Sequence, residues 1–183
     1  MDIFAHALWT GVVGLTVRHR VRRPISLRWL IFWGVFPDLF SFLIPAVIRI
    51  WWYATGMTPH LLPDAKGPAH FQWVWQLYYG SHSLVTFTVV FGLIWLIRRQ
   101  PVLELLGWLL HILIDIPTHQ GMFALHFLWP LSSFGVSGVR WENRWFMAAN
   151  YGTLLLLYAG VWLNRRRPNW RQITQLQNYP ITK

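Results

Sequence analysis

Apolar residues run along this chain in five long stretches, at about 3–17, 29–50, 83–97, 102–117 and 146–163, separated by shorter polar breaks. Each is close to, or somewhat below, the ~20 residues that a helix needs to cross ~30 Å of hydrocarbon. The pattern predicts an all-α fold, an integral membrane helical bundle of about five transmembrane helices. The first and fourth stretches are short, so tilt or local thinning of the bilayer is expected there.

The breaks are of two kinds. Arg18, Arg20, Arg22, Arg23 and Arg28 lie between the first two stretches, Arg98 and Arg99 between the third and fourth, and Arg165, Arg166 and Arg167 after the fifth. The positive-inside rule places all three clusters in the cytoplasm, which requires five crossings and an outside N-terminus. Two longer loops, 51–82 and 118–145, then fall on the outer side. The first is dense in Trp, Tyr and Pro and is expected to lie partly in the membrane interface. The second has an apolar centre too short to span and is expected to be re-entrant or surface-lying. Residues 1–163 read as one transmembrane domain and 164–183 as a polar, basic cytoplasmic tail.

Composition agrees with this picture. The 183 residues are 55% hydrophobic and 12% charged, against roughly 25% charged in a soluble domain. Fourteen Trp and six Tyr suit a chain with many helix ends at headgroup depth, where amphipathic rings prefer to sit. A net charge of +10 would fit a nucleic-acid binder, but topology already accounts for the Arg clusters, so no nucleic-acid partner is expected and the lipid bilayer is the partner. The start, MDIFAHALW, has neither the basic opening nor the cleavage site of a signal peptide, so the first helix is expected to stay. There is no Cys, which excludes thiolate ligands and a Cys nucleophile. Any metal site must use imidazoles and carboxylates.

Placed by depth, the ionisable residues gather on the outer side. His6 lies near the outer end of the first helix, Asp38 mid-depth in the second, and His82 at the start of the third. His111 and Asp115, four residues apart on one helical face, occupy the outer half of the fourth, with His119 and His126 just beyond. A charge at bilayer depth costs on the order of 2.5–3.5 kcal/mol even on the lenient insertion scale. A divalent cation would offset that cost by neutralising carboxylates and using imidazole lone pairs. Each residue also has a plainer reading. His6 suits a core imidazole bonded to a carbonyl, Asp38 after Pro37 suits a cap on a broken helix, and His82 suits an interfacial position. His60 and His70 read as interfacial, and Glu104 as a surface group near the Arg cluster.

At these residues the chain resembles the YdjM-like family of bacterial inner-membrane proteins, described as metal-dependent hydrolases. His6 and Gly11, Pro37 and Asp38, Gly80, His82 and Ser83, and the block Gly107, His111, Asp115, Thr118 and Gly121 stand in that family's order, and Trp129-Pro130-Leu131-Ser132 follows. The chain departs at Phe40, where the family's Pro-Asp-x-Asp has a second carboxylate. The order of His and Asp is also distantly similar to that of zinc-dependent phospholipases C, without their later His-x3-Glu. These resemblances imply a multi-pass protein of the bacterial inner membrane and a divalent metal, zinc foremost. They also imply hydrolysis of a membrane-associated ester, a phospholipid or other phosphodiester. The expected ligands are Asp38, His82, His111 and Asp115 with His6 as a further or supporting one. His119 or His126 is the expected proton donor, and Ser83 is expected to orient water or substrate. A proton- or ion-coupled transporter and a non-catalytic metal-stabilised scaffold are the alternatives.

Overall fold

The computed structural model describes residues 1–18, 20, 21, 23–56 and 72–166. His19, Arg22, His60, His70 and most of the expected tail lie outside the described residues. The described residues fold into helices α1 (Ile3–Val17), α2 (Leu27–Thr55), α3 (Gln72–Ser81), α4 (Leu84–Arg98), α5 (Leu106–Asp115) and α6 (Arg144–Arg166), with two short 3₁₀ turns at Leu103–Leu105 and Gly121–Phe123. No strand occurs among them.

The expectation of five spans is met only in part. α2 and the Arg144–Asn164 stretch of α6 are long and apolar enough to cross a membrane, and α3 with α4 makes a third span if the pair counts as one, bent by 63° at the break. α1 is apolar but has 15 residues, and α5 has 10. At 1.5 Å per residue α5 is roughly 15 Å long, half the hydrocarbon thickness. Its sequence period explains how it tolerates this, because Gly107, Trp108, His111, Ile112 and Asp115 are all buried inside the protein. By contrast, Leu43, Ile44 and Val47 of α2, Leu96 and Ile97 of α4, and Leu155 and Leu156 of α6 are exposed, the pattern of helices that face lipid.

Small residues set how closely the helices approach, as is usual where lipid tails are as apolar as Leu. A Cβ on Gly34 would stand 2.2 Å from Thr10 Oγ1, which holds α1 against α2. A Cβ on Gly107 would stand 2.2 Å from the carbonyl oxygen of Leu30 and 2.9 Å from the amide nitrogen of Gly34, so α5 lies backbone to backbone on α2. α6 closes on α1 through Trp9 Nε1, which donates to Asn150 Oδ1 at 2.8 Å, and through Tyr158 Oη, which donates to the Leu8 carbonyl at 2.9 Å. An apolar cluster of Tyr78, Phe87, Leu105, Trp108, Ile112 and Leu125 fills the space among α3, α4, α5 and the following loop.

The two segments expected on the outer side take definite forms. Segment 51–82 is not only interfacial loop, since α2 continues to Thr55 and 72–81 is helical. Segment 118–145 folds back on itself, with the amides of Gly138 and Val139 donating to the carbonyls of His119 (2.7 Å) and Pro117 (2.8 Å). Gly138 is required there, because a Cβ would stand 2.2 Å from the Pro117 carbonyl oxygen. At the opposite end, Arg23 Nη1 donates to Gln100 Oε1 (3.1 Å) and the Ser26 amide to Glu104 Oε1 (3.0 Å), joining the first two Arg-bearing turns.

Candidate metal centre

Asp38, His82, His111 and Asp115 converge from α2, the α3–α4 break and α5, each offering one ligand atom, and these atoms all lie within 4.8 Å of one another. Three elements bring them there for separate local reasons. Asp38 sits inside α2, not at a helix start. The helix runs on through Pro37, with Ser41 Oγ donating to the Pro37 carbonyl at 2.8 Å. The capping reading of Asp38 is thereby excluded. His82 lies in the break between α3 and α4, where the bend turns its ring inward. His111 stands one turn after Gly107, the residue that lets α5 touch α2.

The imidazoles are oriented by their far nitrogens. His111 Nδ1 donates to the Gly34 carbonyl at 2.8 Å, and His82 Nδ1 donates to the Tyr78 carbonyl at 2.9 Å while touching Ser81 Oγ at 2.9 Å. In a neutral imidazole, a proton fixed on Nδ1 leaves a lone pair on Nε2. The two Nε2 atoms face each other 3.1 Å apart, both turned toward the carboxylates. His111 Nε2 is 3.2 Å from Asp115 Oδ2 and 3.7 Å from Asp38 Oδ1, and His82 Nε2 is 3.8 Å and 3.5 Å from the same two oxygens. Ligand atoms at about 2.0–2.1 Å from a tetrahedral zinc stand about 3.3 Å from one another. The spacing, the donor types and the tethered far nitrogens fit a divalent ion.

Asp115 also serves a second set of groups. Its Oδ2 faces the cluster, is fully buried, and has no hydrogen-bond partner. Its Oδ1 meets the α-ammonium group of Met1, Thr118 Oγ1 (3.3 Å), His119 Nδ1 (3.4 Å) and His6 Nε2 (2.9 Å). The His6 ring is fully buried, meets protein polar atoms only through Nε2 at Asp115, leaves Nδ1 without a partner, and stacks on His111 with centroids 3.7 Å apart. The plainer reading of His6, a core imidazole satisfied by a carbonyl, is thus excluded as well. Its contact with Asp115 ties the ring to the ligand cluster.

The three residues expected to act on substrate differ in place. His119 is at the centre, beside Asp115. Burial pulls its imidazole down to about 4, against the upward pull of Asp115. Burial thus favours the neutral form of the ring beside Asp115, the form that can accept a proton. His126 stacks on Tyr79, centroids 4.5 Å apart, and is not in the cluster. Ser83 is buried and fully engaged: its hydroxyl accepts from the amides of Val85 (3.1 Å) and Thr86 (3.2 Å) at the start of α4 and donates to the Trp129 carbonyl. It is a helix cap and a clasp, not a group free to orient water. Sequence reasoning missed Ser81 and Ser41, whose hydroxyls lie 2.8 Å apart behind His82. Nothing in their spacing distinguishes them from ordinary helical serines. The carbonyls of Gly34 and Tyr78 were also invisible, although His82 following Tyr78 by four residues is a helical back-bonding spacing that could have signalled one of them.

Two cavities meet at the site. One, of about 420 Å³, is lined by Asp38 and His119 at one end and by Ile3, Leu39, Phe42 and Leu43 along its length. The other, of about 450 Å³, is lined by Thr118, Gln120, Arg140 and Glu142. His119, Phe123, Trp141 and Glu142 line both. Comparison of the chain with family models, with curated proteins and with solved structures finds no match in any of the three.

Proposed function

We propose that this protein is a membrane-embedded, metal-dependent hydrolase that cleaves an ester held at the bilayer. The observation that carries the reading is the meeting of two carboxylates and two imidazole Nε2 atoms in the protein's interior, each imidazole fixed from behind by a backbone carbonyl. Asp38, His82, His111 and Asp115 hold the ion, and zinc is the metal that two nitrogens and two carboxylate oxygens suit best. When bound, such an ion supplies Lewis-acid charge for an ester oxygen and acidifies water.

The chain's own groups do the rest. Asp115 joins the ligand cluster to His6 and His119 through its two oxygens. Neutral His119, at the junction of both cavities, is positioned to take a proton from water and return it to the departing alcohol. Hydrolysis needs no other reactant: the water oxygen bonds to the ester centre, the bond to the alcohol oxygen breaks, and one water proton ends on that oxygen. The adjoining cavity walls, mostly carbon, support a substrate that belongs to the membrane.

Five passes, with the site on the outer side of a bacterial inner membrane, complete the reading. The Arg-bearing turns around Arg23 and Arg98 lie at one end of α1, and Met1, beside Asp115, at the other. The test is turnover of bis(p-nitrophenyl) phosphate by detergent-purified protein. Activity that is lost on chelation, restored by zinc and absent in His111→Ala is expected. Full activity in His111→Ala, or none in zinc-loaded wild type, would overturn the proposal.

A further inference from the structure

We infer that the substrate is a membrane lipid taken sideways from the bilayer, with its hydrocarbon chain in the cavity along α2 and its headgroup in the neighbouring cavity that holds Thr118, Gln120 and Arg140. This rests on the hydrolase reading and adds the substrate's shape. The two cavities are neighbours that differ in degree, the second carrying more polar side chains in a smaller apolar wall, and His119, Phe123, Trp141 and Glu142 line both. An amphiphile suits the pair, and the bond at its polar–apolar junction then lies beside His119, which lines both cavities. Each volume falls in the ~300–1,000 Å³ range of ordinary ligand pockets.

The direction of access follows from α2. Leu43, 55% exposed, and Ala46 line the cavity along α2 and also belong to the outward face of this helix, which is long and apolar enough to span the membrane. The cavity is therefore continuous with the surface that faces lipid, and a hydrocarbon chain reaches it without crossing water. On the other side, Thr118, Gln120, Arg140 and Glu142 offer hydroxyl, amide and both signs of charge to a headgroup. Arg140 and Glu142 are only loosely paired at 3.8 Å and more than half exposed, so both remain able to reach a ligand.

Photocrosslinking separates this inference from the one beneath it. Full-length, metal-stripped protein in nanodiscs is loaded with phosphatidylethanolamine carrying a diazirine at the end of one acyl chain, and the adducts are mapped. Adducts on Leu39, Leu43, Ala46 or Phe123 are expected. Adducts confined to the outward faces of α4 and α6 would overturn the inference. In a second arm, Leu43→Trp or Ala46→Trp fills the cavity, and lipid turnover is compared with turnover of bis(p-nitrophenyl) phosphate. The lipid-to-soluble ratio is expected to fall about tenfold or more, the penalty a hydrophobic pocket imposes for a small misfit. An unchanged ratio in both variants would overturn the lipid seat while leaving the hydrolase standing. Crosslinks on α2 in a protein that never cleaves the soluble diester would do the reverse.

Discussion

Asp115 is the residue on which the centre turns, because one oxygen faces His82 and His111 while the other faces His6, His119 and Met1. Its neighbour in sequence order, His111, is held by a carbonyl contributed from another helix. That contact was not readable from the chain, since a backbone oxygen leaves no mark in the amino-acid sequence. The ionisable residues themselves were legible, because a carboxylate in an apolar run is costly and stands out. Hydroxyl groups do not stand out in this way, so the sequence offers Ser83 as a group to orient water or substrate and gives no sign of Ser81 behind His82. The assignment of Ser83 as a cap is testable. Ser83→Ala should destabilise the protein by about 1–2 kcal/mol through loss of the cap and of the bond to Trp129, while zinc binding is retained. A thermal melt together with metal analysis reads both. Wild-type stability with lost turnover would instead restore a chemical role.

Among the elements, α5 departs furthest from its sequence signature. Its apolar run extends over 102–117 and reads as a short span, yet regular helix covers only Leu106–Asp115 after a 3₁₀ turn. Hydropathy registers that a segment avoids water and cannot tell lipid from protein as its surroundings, and α5 is packed within protein on its His-bearing face. The same blindness hid α3, where Gln72, Tyr78 and Tyr79 dilute the apolar signal of a helix. In contrast, α1 matches its run at 3–17, and α4 at 84–98 is shifted from 83–97 by one residue, since Ser83 marks its start. The approach of α5 to α2 depends on Gly107. Gly107→Ala should cost about 1–3 kcal/mol by pushing the helices apart and should weaken metal binding as His111 withdraws from Gly34. Isothermal titration with zinc measures the second effect. Unaltered affinity would show that the helix contact does not position the ligand.

At the scale of the whole molecule, chemistry is segregated toward one end. The described His and Asp residues collect around Met1 and the 118–142 loop, and the described Arg residues between α1 and α2 and after α4 collect at the other end. This division was visible in the sequence as an alternation of Arg-rich and His-bearing breaks, because membrane topology imposes it on the chain. The convergence of the four ligand atoms was not visible, since it depends on helix rotation and on the break at His82. The division makes a topological prediction. With no native Cys, a Cys placed at Ser133 in spheroplasts should react with a membrane-impermeant maleimide and one at Arg20 should not. Labelling of Arg20→Cys alone would invert the orientation.

The central claim is that Asp38, His82, His111 and Asp115 hold one divalent ion. X-ray absorption at the zinc edge of detergent-purified, zinc-loaded protein tests it most directly. Two imidazole nitrogens, one oxygen from each carboxylate and a water oxygen at about 2.0–2.2 Å are expected, with the imidazole signal reduced in His111→Ala. Zinc that is lost on desalting, or a coordination shell unchanged by His111→Ala, would contradict it.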